Sequence, residues 1–225
     1  MKQLVLDISP PASVTLDSFV VGRNAELLQQ LRDMQAAPGQ ERFVYIWGEP
    51  GSGKSHLLEA FTRQAAQHGR DAVYLAGAAA GEALAGLSDS HVVALDDVQQ
   101  LDGETQIALF NLYNRLREGD GMLLVSGDAA PAQLSLRQDL VTRLGWGLVY
   151  QVHALSDADK VQALKTHARQ RGFDLADAVA EYLLRHWRRD LPALLAVLDA
   201  LDRYSLQTKR PITVPLLREI LRAPE

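Results

Sequence analysis

The chain contains no cysteine, no long apolar segment and no excess of positive charge. Without cysteine it can form neither disulfides nor cysteine-ligated zinc sites, which agrees with a reducing compartment. No segment reaches the length of about 18 apolar residues that a membrane span needs, and the apolar stretch near the N-terminus is too short for a signal peptide. The formal net charge of −5 provides no overall basic field for non-specific nucleic-acid binding. We therefore expect a cytoplasmic protein without a membrane anchor.

The chain does contain enough apolar sequence for a sizeable core, since 47% of its 225 residues are hydrophobic. Short apolar runs predict strands at residues 43–47, 72–75, 92–95, 122–125 and 148–152. Helical patterns separate these runs, and the Ala/Gly-rich stretch 76–87 predicts a loop or a weak helix. Strands that alternate with helices favour an α/β fold, in which helices flank a parallel sheet.

The organisation of the chain changes at two points. Pro10 and Pro11 stop any regular element, so residues 1–12 are predicted to form an extended tail. After His153 the strand signals end and four helical patterns follow, beginning near residues 156, 176, 190 and 215. We therefore predict an α/β base domain over residues 13–153 and a small all-helical domain over residues 154–225.

A glycine-rich loop follows the first predicted strand. Residues 48–55 read Gly-Glu-Pro-Gly-Ser-Gly-Lys-Ser, which fits the P-loop pattern G-x-x-x-x-G-K-S/T. Glycines let successive backbone N–H groups wrap phosphates, Lys54 counters the phosphate charge, and Ser55 can bind Mg²⁺. The alternative is a chance glycine loop, but the strand before it and the helix after it favour a nucleotide site.

Polar residues follow the third and fourth predicted strands. Asp96 and Asp97 end the third strand, where one carboxylate can hold Mg²⁺ through water and the other can polarise an attacking water. Ser126-Gly127-Asp128 ends the fourth, which brings a polar side chain beside a γ-phosphate if this strand lies between the other two. Simple turn formation is the open alternative for both groups.

Arg143 comes shortly before the last predicted strand. A guanidinium at the rim of the domain can reach a phosphate held by a neighbouring molecule, where arginine fingers raise rates by roughly 10³ to 10⁵. Position alone favours a solvated surface arginine instead.

Together these residues resemble the DnaA/Hda family of bacterial AAA+ proteins over nearly the whole chain. Residues 15–22 resemble the segment that lies over the adenine, residues 48–58 the Walker A region and residues 93–97 the Walker B strand. Asp128 falls on the sensor 1 position, and Arg143, within Arg-Leu-Gly-Trp-Gly, matches the arginine finger.

The resemblance implies a bound adenine nucleotide, either ADP or ATP with ADP favoured, together with Mg²⁺ held by Ser55 and Asp96. It implies catalytic roles for Asp97, Asp128 and Arg143, the last acting in trans on ATP held by another molecule. The residues expected to contact the nucleotide are Val20, Val21, Gly48, Pro50, Gly51, Ser52, Gly53, Lys54, Ser55 and His56.

Three further features are similar to the shorter, regulatory members of the family. The chain ends soon after the helical domain, with no room for the DNA-binding helix-turn-helix of the initiator, so we expect no direct sequence-specific DNA binding. The sequences of residues 157–173 and 198–204 are also more similar to these members than to the initiator. The tail resembles the peptide by which such proteins bind the sliding clamp of DNA polymerase III; the residues involved would be Gln3, Leu4, Leu6 and Ile8. Without the family context, this alternating stretch reads as a first β-strand.

One position departs from the family. Pro192 lies where the sensor 2 arginine is usual, which puts nucleotide sensing by the lid in doubt. Asp190 is a plausible cap for the helix that follows, proline is tolerated in a first turn, and Arg188 or Arg189 can replace the missing arginine.

The expected function is a negative regulator of chromosomal replication initiation. Bound to the clamp, such a protein stimulates hydrolysis of DnaA-bound ATP, which switches the initiator off. The alternative is a self-assembling AAA+ ATPase or helicase-loader-type protein that hydrolyses its own ATP in a homo-oligomer.

Overall fold

A computed structural model describes residues 14–36, 41–187 and 190–222 of the chain. The chain divides into two compact units, one ending at Ala154 and the other beginning at Leu155. None of the helices within the described ranges is long and apolar enough to cross a membrane.

The first unit is built on a five-stranded sheet in the order β2-β3-β4-β1-β5, with every neighbouring pair parallel. The strands are β1 (Phe43–Trp47), β2 (Ala72–Ala76), β3 (Val92–Asp96), β4 (Met122–Gly127) and β5 (Leu148–Gln151). All five predicted strands are confirmed, because runs of β-branched and aromatic residues suit strands that are buried on both faces.

Helices cover both faces of this sheet. They are α1 (Ala25–Ala36), α2 (Lys54–Gln67), α3 (Gly81–Ala85), α4 (Gly103–Glu118) and α5 (Gln138–Leu144). Successive side chains of β1 point to opposite faces: Val44 and Ile46 pack in the cluster that contains α1 and α2, and Phe43 and Tyr45 in the cluster that contains α4 and α5. The Ala/Gly-rich stretch contains only a 3-10 turn, Gly77–Ala79, and the short α3.

The strand order decides which loops come together. Since β4 lies between β3 and β1, the residues that follow these three parallel strands meet at one edge of the sheet. Trp47 is paired with Gly127, and Leu95 with Val125, so the three strands end nearly level. The condition set for Ser126-Gly127-Asp128, that its strand lies between the other two, is therefore met.

The second unit is all-helical, as predicted. Its helices are α6 (Asp157–Gln170), α7 (Asp177–His186), α8 (Leu191–Thr208) and α9 (Val214–Arg222). An apolar core that includes Leu164, Leu183 and Leu198 lies between them. Helix α6 begins with a capping box formed by Ser156 and Asp159.

Candidate nucleotide-binding site

The loop between β1 and α2 has the backbone of a phosphate loop. Gly51 and Gly53 have φ angles of +77° and +104°, which other residues adopt only with strain. Gly53 precedes α2, and no side chain caps this helix. The first N–H groups of α2 therefore have no side-chain acceptor and can bind an anion. A Cβ added at Gly51 would have no neighbour within 4 Å, so open space lies beside the loop.

Lys54 is held beneath this loop. Its side chain is only 8% exposed, and its Nζ donates to the carbonyls of Gly48, at 2.7 Å, and Glu49, at 3.2 Å. The loop also contains the buried hydroxyl of Ser52, which has no hydrogen-bond partner among the described residues. A buried ammonium, an unpaired hydroxyl and adjacent open space fit the phosphates of a nucleotide.

The carboxylate of Asp96 is buried, with both of its oxygens hydrogen-bonded. The Tyr74 hydroxyl donates to Oδ2 at 2.8 Å, and the Ser126 hydroxyl donates to Oδ1. Burial, followed by the hydrogen bond to Asp96, raises the pKa of Tyr74 well above its ordinary range. The tyrosine therefore remains a proton donor at any physiological pH.

Asp97 adopts a left-handed backbone conformation, with φ of +54°. Its N–H donates to the Ser126 hydroxyl at 2.9 Å, and its carboxylate oxygens accept from the amides of Gln99 and Gln100, each at 3.1 Å. Ser126 thus links the two acids, since its hydroxyl accepts a hydrogen bond from the Asp97 N–H and donates one to the Asp96 carboxylate. The side chain of Asp97 is fixed in a turn rather than freely solvated.

Asp128 lies just beyond β4 and is exposed. The turn that carries it is held by Tyr45, whose hydroxyl donates to the carbonyl of Ala129 at 2.7 Å. Burial, and then the nearby charge of Asp128, raise the pKa of Tyr45 above its ordinary range. Gly127 is required here, because an added Cβ would overlap the Tyr45 hydroxyl.

The segment that resembles the adenine-covering part of the family packs against the start of α2. The His56 ring nitrogen lies 3.0 Å from the carbonyl of Thr15, and Phe19 lies over Gly53 and 5.8 Å from the His56 ring. Val20 is half-buried, whereas Val21 is exposed and offers an apolar surface.

This segment is fastened at its end by Asn24. The buried Asn24 side chain accepts from the N–H of His153 at 2.8 Å and donates to its carbonyl at 3.0 Å. The segment is thereby tied to the residue that follows β5.

Arg143 lies in the last turn of α5 and is half-buried. Its guanidinium lies 3.9 Å from the centre of the Trp146 ring and 5.3 Å from that of Phe110. It makes no ion pair with any residue that the structure describes. The cation thus stacks on the exposed ring of Trp146 and has no carboxylate partner among the described residues.

The structure thus brings together the phosphate loop, Asp96, Asp97 and Asp128 at one edge of the sheet, while Arg143 contacts α4 instead. The tail residues Gln3, Leu4, Leu6 and Ile8 lie outside the described residues. The contact between Tyr74 and Asp96 was not predicted, because no signal in the sequence places these two strands side by side.

A metal ion would have few protein ligands here. Across the described ranges, no group of three or more histidine, aspartate or glutamate side chains could hold one. Ser55 is exposed at the end of the loop and Asp96 is buried, so these two would hold Mg²⁺ together with phosphate oxygens and water.

In the second unit, helix α8 begins as expected from its sequence. The Asp190 side chain accepts from the N–H of Ala193 at 2.9 Å, and Pro192 lies in the first turn. The expected cap is confirmed. Arg188 and Arg189, the candidate substitutes for the sensor 2 arginine, lie outside the described residues.

Comparison with known proteins agrees with this architecture. The family model of the bacterial DnaA ATPase domain matches residues 11–151, and that of the Hda lid domain matches residues 157–221. An uncharacterised protein of Haemophilus influenzae is 39% identical over 228 residues, covering 98% of each chain.

Solved structures with the same fold include two DnaA proteins. Domain III of the Thermotoga maritima replication initiation protein DnaA has a TM-score of 0.74 at 21% identity, covering 96% of this chain and 100% of that one. DnaA from Aquifex aeolicus, bound to AMPPCP, has a TM-score of 0.71 at 21% identity, covering 88% of this chain and 70% of that one. The ATPase-domain match extends over more than half of the sequence. The chain therefore belongs to the DnaA/Hda family of AAA+ proteins, as a DnaA-related replication regulator with an Hda lid.

Proposed function

We propose that this protein holds an adenine nucleotide in its base unit and, when docked on the sliding clamp, stimulates hydrolysis of ATP bound to DnaA. Hydrolysis would switch the initiator off. The partners are then DnaA and the clamp of DNA polymerase III in the cytoplasm, with no sequence-specific DNA contact. The protein itself can act as a monomer or a homo-oligomer.

The environment of Arg143 is the observation that carries the proposal. The guanidinium stacks on Trp146 and lies near Phe110, and no carboxylate of the described residues neutralises it. A cation held in this way can meet a phosphate on another molecule without first breaking an ion pair. Arginine fingers supplied in trans raise hydrolysis rates on the order of 10³ to 10⁵ by stabilising the charge of the transition state.

The nucleotide of the protein itself has a structural role in this proposal. The backbone of residues 48–55, together with Lys54, would hold its phosphates, and Ser55 and Asp96 would hold Mg²⁺, which neutralises phosphate charge when bound. ADP is favoured because the Asp97 carboxylate, the expected partner of the attacking water, already accepts two amide hydrogen bonds that hold it in its turn.

The arginine-finger claim is tested by measuring hydrolysis of DnaA-bound ATP in the presence of DNA-loaded clamp. Arg143→Ala should reduce the stimulated rate by at least about 100-fold. The matched control is Arg63→Ala, because Arg63 is an exposed base-unit arginine whose partner, Glu59, lies 3.5 Å away on the same helix. The claim fails if Arg143→Ala stimulates hydrolysis as well as the control does.

Clamp docking is a separate claim and rests on the tail. Gln3 would hydrogen-bond at the mouth of the clamp pocket, and Leu4, Leu6 and Ile8 would supply its apolar contacts. Deleting residues 3–8 should abolish clamp binding in a pull-down or surface-plasmon assay and leave the melting temperature unchanged. Clamp binding by the deletion variant would contradict this claim, and Arg143→Ala should still bind the clamp.

The second candidate function is hydrolysis of its own ATP within an assembly. The observation in its favour is that Lys54, Ser55, Asp96 and Asp97 are all present at one edge of the sheet. Rapid turnover by the purified protein, without clamp or DnaA, would support this function over the regulatory one. Lys54→Ala should abolish nucleotide binding in either case.

A further inference from the structure

Two neighbouring strands each direct a hydroxyl group at the carboxylate of Asp96. Tyr74 comes from β2 and Ser126 from β4, on either side of β3. Together they supply one hydrogen bond to each oxygen of a carboxylate that is only 4% exposed. The protein itself thus already donates a hydrogen bond to both oxygens of the carboxylate that would help to hold Mg²⁺.

These donors change what Asp96 can offer a cation. A carboxylate has about four lone-pair positions, and two of them are used here. A hydroxyl proton also withdraws charge from the oxygen that accepts it, so that oxygen attracts a cation less strongly.

We propose that Tyr74 is a positioning residue which limits the contribution of Mg²⁺ to nucleotide affinity by occupying Oδ2 of Asp96. The inference rests on the part of the proposed function in which the phosphate loop holds an adenine nucleotide. A nucleotide bound mainly through the loop and Lys54 stays in place when the metal leaves, which suits a structural role.

Tyr74 is the better residue to change, because its hydroxyl has this one hydrogen bond. Ser126 is fully buried and also accepts from the N–H of Asp97, so its replacement would disturb a turn with positive φ. Tyr74→Phe removes a single oxygen from a half-buried ring. The matched control is Tyr150→Phe on β5, at the opposite edge of the sheet, where the hydroxyl lies near the Glu26 carboxylate.

The test measures the equilibrium affinity of the full chain for fluorescently labelled ADP, once with excess Mg²⁺ and once with EDTA. The dissociation constant in EDTA divided by that in excess Mg²⁺ reports how much the metal contributes to affinity. The measurement involves no hydrolysis. Tyr74→Phe should increase this ratio by roughly three- to tenfold, the size expected for the net contribution of one ordinary hydrogen bond. Tyr150→Phe should leave it unchanged.

A second variant shows whether Tyr74 acts through Asp96. In the Asp96→Asn background, Tyr74→Phe should no longer alter the ratio, because the charged oxygen is gone. An unchanged or smaller ratio in Tyr74→Phe overturns the inference while leaving nucleotide binding intact, and so does an effect that persists in the Asp96→Asn background. If the unaltered protein binds no ADP at all, the nucleotide part of the proposed function fails and the inference fails with it.

Discussion

Replacing Gly53 with alanine tests whether the phosphate loop and the segment over it form one packed unit. Gly53 has a φ of +104°, a conformation that costs an L-residue about 1–3 kcal/mol. An added Cβ would also lie 2.7 Å from Cε2 of Phe19, so the ring would have to move. Overpacking of this kind costs about another 1–3 kcal/mol, which gives a total of roughly 2–6 kcal/mol.

The two contributions can be separated with a second glycine. Gly69 has a φ of +78°, but an added Cβ there would meet nothing within 4 Å. Gly69→Ala should therefore cost only the backbone part, about 1–2 kcal/mol. Because the φ angles of the two glycines differ, the contact with Phe19 is measured by Phe19→Ala, which should recover about 1–3 kcal/mol of the cost of Gly53→Ala.

Urea unfolding of the full chain, followed by tryptophan fluorescence, gives these free energies, and ADP titration gives the functional consequence. We expect Gly53→Ala to weaken ADP binding and Gly69→Ala to leave it unchanged, because only Gly53 lies in the phosphate loop. A cost of Gly53→Ala that is the same with and without Phe19→Ala would refute the claim that Phe19 packs on the loop.

Two further predictions concern how the segments are fastened. Asn24→Ala should lower the free energy of unfolding by about 2–4 kcal/mol in urea titration, because both backbone groups of His153 lose their partner, and Asn24→Asp should keep only the bond from the His153 N–H. Ser156→Ala should lower the melting temperature of the second unit by a few degrees at pH 7. Hydrogen bonds from Ser156 hold the pKa of Asp159 below its ordinary 3.8, so the cap should stabilise fully above that pH and lose its effect as the pH falls further. The difference in melting temperature between Ser156→Ala and the unaltered protein should therefore shrink below pH 3.8, and a difference that does not change with pH would contradict this assignment.

The strands and the phosphate loop could be predicted because their signals are local. The run Phe43–Trp47 is apolar, short and followed by glycines, and it forms a strand with those limits. The capping box of Ser156 and Asp159 is likewise a local signal, because it lies within four consecutive residues. By contrast, Ala/Gly-rich sequence has weak patterning and small side chains to bury, and the corresponding helix, Gly81–Ala85, is short.

The side-chain contacts of the acids could not be predicted, because they depend on strand order and register. Tyr74 reaches Asp96 only because β2 lies beside β3, and Ser126 reaches it only because β4 lies on the other side. Neither order nor register follows from the spacing of apolar runs. The contact of Arg143 with Trp146 is a more local feature. Trp146 lies three residues further along the chain, and side chains at this spacing can meet near a helix end.

The geometry of Asp97 bears on the choice between retaining a nucleotide and hydrolysing it. Three side chains hold Asp97 in a left-handed conformation. The Ser126 hydroxyl accepts from the Asp97 N–H, and the amides of Gln99 and Gln100 donate to the Asp97 carboxylate. A general base must take a proton from water, whereas each amide donor already forms a hydrogen bond with an oxygen of this carboxylate and holds the side chain in its turn. In the proposed function this is an advantage, because a protein that presents Arg143 to ATP on another molecule needs its own nucleotide to remain in place. The same hydrogen bonds that fix the acidic turn therefore favour retention of the nucleotide over turnover.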